Sequence, residues 1–279
     1  MAEVELSAGT IEYEDTGGQG PVLVLLHGLL MDSRLWEAVV PGLTGLRCVV
    51  PTLPLGAHRR RLRPDADLSL PGVACLVAEL LDRLNLPDVI LVGNDTGGAI
   101  AQLVAARAAT RTRVSRLVLV SCEAFDNLPP GLTGGALALA AKLPPAAFRF
   151  FMQQMRFRPA RRLPMAFGRL TKRGDRLTAG WIRPILEVPG IAADTVNVLR
   201  AAFADKQLLI RTAEVLSTFD RPALVVWATE DRVMPPDHGR RLATLLPQGS
   251  LVEVPDSYTL IPLDQPSSLA TILRDFALR

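Results

Sequence analysis

Short apolar runs recur along the chain, with helical patterns between them. Glu3–Leu6 and Thr10–Asp15 alternate apolar and polar residues with period two, which predicts an antiparallel pair at a sheet edge. Val22–Leu26 is apolar without interruption, as in a strand covered on both faces. Further strands are predicted at Arg47–Pro51, Val89–Val92 and Arg116–Val120, and helices at Ser33–Val40, Pro71–Leu84 and Gly98–Ala108. Strands alternating with helices imply a mostly parallel, doubly wound α/β sheet, because parallel neighbours need a crossover long enough to hold a helix.

The rhythm changes at Leu128. From there to Ser217 no strand pattern occurs, and helical stretches are interrupted by prolines from Pro129 to Pro189. Strand character returns at Ala223–Trp227 and Ser250–Val254, with helices at Pro236–Leu246 and Pro266–Leu278. The expected organisation is one sheet domain, residues 1–127 and 218–279, interrupted by a helical segment at 128–217.

Composition narrows the class. A chain of 279 residues that is 49% apolar holds a large core and is not disordered. No apolar run reaches the roughly 18 residues of a membrane span, and the acidic N-terminal stretch is unlike a secretory signal. Cys48, Cys75 and Cys122 are scattered beside apolar runs and read as reduced core residues of a cytoplasmic protein. The net charge is +3, with basic clusters at 58–63 and 156–176. These read as solvated faces, with attraction to an acidic partner or membrane surface as the other reading; no nucleic-acid motif accompanies them. Neither metal-ligand spacing nor a dinucleotide fingerprint is present, so no metal and no cofactor is expected.

The chemistry concentrates at Leu91–Ala99, LVGNDTGGA. Gly93-x-Asp95-x-Gly97 between a strand and a helix has the shape of a nucleophile elbow. The corner forces the central residue into strained backbone, and the glycines avoid Cβ collisions. The N–H of Thr96 then faces a developing negative charge at the sheet edge. An Asp in this place also makes a good helix cap. Two further stretches bear on the choice. Leu25-Leu-His27-Gly28-Leu29 follows a buried strand and places a second N–H donor at Leu29. Leu224–Asp231 is a strand ending in an acid.

With these elements in this order, the chain resembles the α/β-hydrolase superfamily over essentially its whole length. The Asp at the elbow is similar to the haloalkane dehalogenase and epoxide hydrolase branch. The resemblance implies an eight-stranded, mostly parallel sheet with a helical cap inserted after the sixth strand. It implies Asp95 as nucleophile, forming a covalent ester, and Asp231 as the acid that orients a histidine. Glu123 matches an alternative acid position. The histidine is expected after the last strand, within Leu251–Pro266, but there Tyr258 stands where Gly is usual and Thr259 where His is usual. His27 belongs to the His-Gly turn, His58 to an Arg-rich loop and His238 to a helix start. The tyrosine pair expected in an epoxide hydrolase cap is absent, and Thr96 stands where dehalogenases carry Trp.

A threonine cannot act as a base near neutral pH, so a standard hydrolytic cycle is incomplete. The resemblance therefore implies a fold and a site. It leaves Asp95 as nucleophile or general base in atypical or non-hydrolytic chemistry (isomerisation, elimination or cyclisation), with Tyr258 or Thr259 as hydrogen-bond donor. The alternative is an inactive small-molecule-binding protein or receptor. A serine esterase is the third reading, although no Gly-x-Ser-x-Gly occurs. Phe148, Phe151, Met152, Met155 and Trp181 are the expected lining of a pocket for an apolar or aromatic small molecule. An exposed apolar cap would also permit a homodimer.

Overall fold

The registers of the central strands explain the placement of everything that follows. In the computed structural model, which describes residues 1–107 and 112–279, eight strands form one sheet. They are β1 (Ala2–Leu6), β2 (Gly9–Asp15), β3 (Val22–Leu26), β4 (Arg47–Pro51), β5 (Val89–Asn94), β6 (Val114–Val120), β7 (Ala223–Ala228) and β8 (Gly249–Val254), in spatial order β1-β2-β4-β3-β5-β6-β7-β8. β1 and β2 pair antiparallel with each other, and β2 pairs antiparallel with β4; the other pairs are parallel. The expected mostly parallel, doubly wound sheet is thus observed. β5 and β7 are buried at every position, which is why they run without polar alternation as far as Gly93 in β5 and throughout β7.

Leu26 lies opposite Gly93, Asn94 opposite Val120, and Val120 opposite Val226. The carboxyl ends of β3, β5, β6 and β7 are therefore level. The turns that leave them share one edge, where ligands bind in open α/β sheets.

The helices are α1 (Leu70–Arg83), α2 (Thr96–Ala106), α3 (Gly131–Ala140), α4 (Pro145–Met152), α5 (Asp175–Glu187), α6 (Ile191–Ala202), α7 (Leu208–Leu216), α8 (Pro236–Leu245) and α9 (Pro266–Ala277), with shorter turns between. α2 packs on β5, β6 and α1, and the segment from α3 to α7 occupies the long connection between β6 and β7. Asp32 ties this helical segment to the sheet turns: it accepts from Trp181 Nε1 at 2.9 Å and is paired with Arg34 at 2.6 Å. Asp264 does the same from the other side, accepting from Thr171 Oγ1 at 2.7 Å and from the Lys172 N–H at 2.9 Å. Among the described residues no helix is long and apolar enough to cross a membrane.

Three expectations are corrected. Ser33–Val40 is not one α-helix but two 3₁₀ turns, Ser33–Trp36 and Val40–Gly42; Pro41 and Gly42 stop any continuation. The helix expected at Gly98–Ala108 begins two residues earlier, with Asp95 at its cap, and Ala108 lies outside the described residues. Cys75 is exposed on the outer side of α1, while Cys48 and Cys122 are buried.

Candidate active site

Asp95 sits at φ 55° and ψ −135°, a conformation that a non-glycine residue holds only when its surroundings enforce it. The glycines do the enforcing. A Cβ on Gly93 would lie 2.2 Å from the Gly97 carbonyl oxygen, and one on Gly97 2.5 Å from that of Leu26. On Gly28 it would lie 2.1 Å from Asp95 Oδ1. The His-Gly turn thus presses directly on the carboxylate. Asn94 fixes the other flank: its Nδ2 donates to the carbonyls of Val120 at 2.9 Å and Thr259 at 2.8 Å.

Hydrogen bonds converge on Asp95 Oδ1, from Thr96 N–H at 2.8 Å and Thr96 Oγ1 at 3.1 Å, and the Leu29 N–H also faces the carboxylate. The two expected backbone donors, Leu29 and Thr96, hold the carboxylate itself. Burial nevertheless wins: Asp95 is 5% exposed, and its pKa is pushed up to about 6 by desolvation. The Thr96 donors oppose that rise, while the Asp231 charge adds to it.

The Thr96 hydroxyl was not anticipated from sequence, where only its N–H had a role. It lies 2.7 Å from Glu123 Oε1 as well as 3.1 Å from Asp95 Oδ1. One hydroxyl carries one hydrogen, so two such contacts to carboxyl oxygens need a second proton. Glu123 supplies it. Its carboxyl is 1% exposed, and burial, with the Asp95 charge next in weight, holds its pKa well above the usual range. The consistent assignment runs from a neutral Glu123 O–H to Thr96 Oγ1, and from the Thr96 O–H to Asp95.

Asp231 Oδ1 accepts from the N–H groups of Val233 and Met234, both at 2.9 Å, and from Thr259 Oγ1 at 2.8 Å. Burial raises its pKa, and the Met234 and Val233 donors oppose the rise. Thr259 is fully buried against this acid. Tyr258 is placed differently: its ring lies beneath Arg232, 4.5 Å from Cζ, and Lys172, 5.0 Å from Nζ.

The histidines lie elsewhere. His27 Nε2 accepts from the Leu53 N–H at 2.8 Å, so Nδ1 carries the hydrogen and meets the Gly28 carbonyl at 2.9 Å. Burial pushes its pKa down to about 4. His58 lies 3.6 Å from Asp194, and His238 packs edge-on against Phe125.

Above the carboxylate is a space of about 20 Å³, room for about one water, bounded by Asp95, Thr96, Glu123, Leu137, Leu170 and neighbours. Beyond it lies an apolar cavity of about 170 Å³. Phe151, Met152 and Met155 line this cavity, whereas Phe148 and Trp181 are fully buried outside its lining. Leu29, Thr133, Leu137 and Leu170 border both spaces and form the wall between them. Thr133 and Leu137 were missed because the small-residue sequence of α3 carries no chemical signature.

A strained acid at the strand-helix corner, a donor from the β3 turn and a second acid after β7 together have the layout of an α/β-hydrolase-type site. The chain belongs to that family: the profile for the alpha/beta hydrolase fold matches residues 21–266. Among relatives, haloalkane dehalogenase 2 of Mycobacterium tuberculosis is 26% identical over 276 residues, covering 96% of this chain and 91% of that one. A haloalkane dehalogenase of Mesorhizobium japonicum is 31% identical over 107 residues, covering 38% of this chain and 34% of its own. The match thus spans about a third of the latter relative. Among solved structures, an esterase of Thermogutta terrifontis superposes with a TM-score of 0.75 at 23% identity, covering 99% of this chain and 98% of that one. An enol-lactonase of Burkholderia xenovorans does so with 0.74 at 19%, covering both chains fully. At such identities these structures show the fold alone.

Proposed function

We propose that this protein is an enzyme of dehalogenase-like and epoxide hydrolase-like ancestry that moves a proton on an apolar small molecule, with Asp95 as the general base. The observation that carries this reading is the pair of unlike carboxyls joined through Thr96. Asp95, with a pKa near 6, is mostly ionised at neutral pH, and Glu123 stays protonated. Two acids whose environments separate their protonation states leave one of them free to act as base. Asp95 takes a proton from carbon and returns it to a second atom of the same molecule, or to the leaving group as it departs, so the site ends as it began. Glu123 keeps its proton and, bonded through the Thr96 hydroxyl, holds Asp95 in place for both transfers. The product is an isomer, an elimination product or a ring-closed compound.

Nucleophilic attack by Asp95 would instead leave an ester. Thr259, standing for the histidine of related hydrolases, has no basic nitrogen to activate water, and Asp231 then serves to anchor the loop. We take residues 128–217 as the cap that contributes the pocket. Leu137 and Leu170 swing aside to admit a ligand of about benzene size or larger from the apolar cavity. The same apolar cavity supports a second reading, a binding protein without turnover.

The test is incubation of wild type and Asp95→Asn in D2O with apolar ketones, epoxides and haloalkanes, read by mass spectrometry of small molecules and intact protein. Deuterium entering a compound, or isomer formation, with wild type alone is expected, without a lasting protein adduct. A lasting adduct on wild type alone replaces the base by a stalled nucleophile. Identical behaviour of both proteins overturns any Asp95-dependent activity in favour of binding alone.

A further inference from the structure

Between Asp126 and Asp175 the chain has no Asp or Glu but nine Lys and Arg residues. Apolar residues alternate with them, as in Arg149-Phe-Phe151 and Arg156-Phe-Arg158. The structure turns both kinds outward. Leu139 and Phe150 are each 67% exposed, Phe157 65% and Met165 54%. Seven of the ten exposed large apolar side chains among the described residues lie between Leu132 and Met165. Arg158 and Arg161 share Asp175. Arg149, Arg156 and Arg162 are exposed and make no ion pair among the described residues.

Such a surface is costly to leave in water, since exposed aromatic residues gain by burial and unpaired guanidinium groups gain by meeting anions. We infer that this face, from α3 to the turn at Arg162, docks on an anionic lipid surface. Arginine interleaved with Phe, Leu and Met fits the boundary between phosphate headgroups and acyl chains. A second copy fits poorly, because a two-fold contact would set this uniformly basic patch against itself. The exposed Phe151, Leu163 and Met165 also line the 170 Å³ cavity. Its mouth therefore opens on the docking face, and a molecule dissolved in the bilayer reaches it without crossing water. Docking goes beyond the Asp95 reading and does not depend on it.

Vesicle flotation of the full chain tests this, using phosphatidylcholine alone or with one third phosphatidylglycerol. Wild type is expected to float with the anionic vesicles at least about tenfold more than with neutral ones, and less at high salt. Phe150→Ser/Phe157→Ser and Arg149→Glu/Arg156→Glu each lose most of that binding, while circular dichroism shows an unchanged fold. Failure of wild type to float, or flotation unchanged in both variants, overturns the inference. So does a stable dimer in sedimentation that Phe157→Ser dissolves, or binding to polyglutamate without binding to vesicles.

Discussion

Replacing Asp95 by Asn is expected to make the protein more stable, in a way that depends on pH. Folding carries the Asp95 pKa from its ordinary 3.8 to about 6. The native state therefore holds a proton between those values that the unfolded chain has released. The stability attached to that proton is complete below about pH 4 and is lost as pH rises through 6. A difference of about two units corresponds to about 3 kcal/mol. Asn keeps an acceptor oxygen for the Thr96 donors and never ionises, so it avoids that loss. The charge on Asp95 also helps to keep Glu123 protonated. Removing it lowers the Glu123 pKa in the folded protein toward its unfolded value, which relieves a further cost at neutral pH, so the gain is at least about 3 kcal/mol. Urea unfolding at steps from pH 4 to pH 8 is the assay. The variant should match wild type near pH 4 and exceed it by this amount above pH 7, or by roughly 5–10 °C in Tm. A pH-independent difference, or a variant less stable at pH 7, would refute the electrostatic account of the site.

Other consequences are equally direct. Thr96→Val removes the hydroxyl between Asp95 and Glu123; the Asp95 titration, followed by carbon NMR, should move upward by about 1–2 units, since a hydrogen bond to a charged group is worth about 1.5–3 kcal/mol. Gly28→Ala sets a methyl 2.1 Å from Asp95 Oδ1, and the expected result is a loss of about 1–3 kcal/mol in chemical denaturation together with loss of any Asp95-dependent turnover. Trp181→Phe takes the indole donor from the buried Asp32 carboxylate, with an expected cost of about 1.5–3 kcal/mol by the same measurement. Leu137→Ala lowers the wall between the two cavities, and a fluorescent apolar ligand should bind faster to this variant in stopped flow.

The parts of this molecule that were legible in sequence are those where local rules and tertiary needs agree. Val22–Leu26 and Val89–Val92 are apolar because the sheet buries them on both faces, and Gly93 and Gly97 stand where a Cβ would strike backbone. Asp95 could be placed for the same reason. What could not be read depended on partners far along the chain. Helical spacing marks Phe148 and Phe151 alike as apolar, and only packing decides that the first is core and the second lines a cavity. The setting of the Tyr258 ring beneath Lys172 and Arg232 depends on side chains that approach from other segments. Glu123 was placed by its position after β6, but its protonation follows from burial beside Asp95, a distance that sequence does not contain.

The bond from Asn94 Nδ2 to the carbonyl of Thr259 has a bearing on how such sites diverge. A main-chain oxygen is common to every amino acid, so this tether holds the loop after β8 whatever side chain position 259 presents. The side chain there can be exchanged, for a basic one included, without first having to redesign the loop that carries it. The elbow and its anchor thus form a chassis that tolerates exchange at one position, and position 259 is the natural first stop for directed evolution of this scaffold.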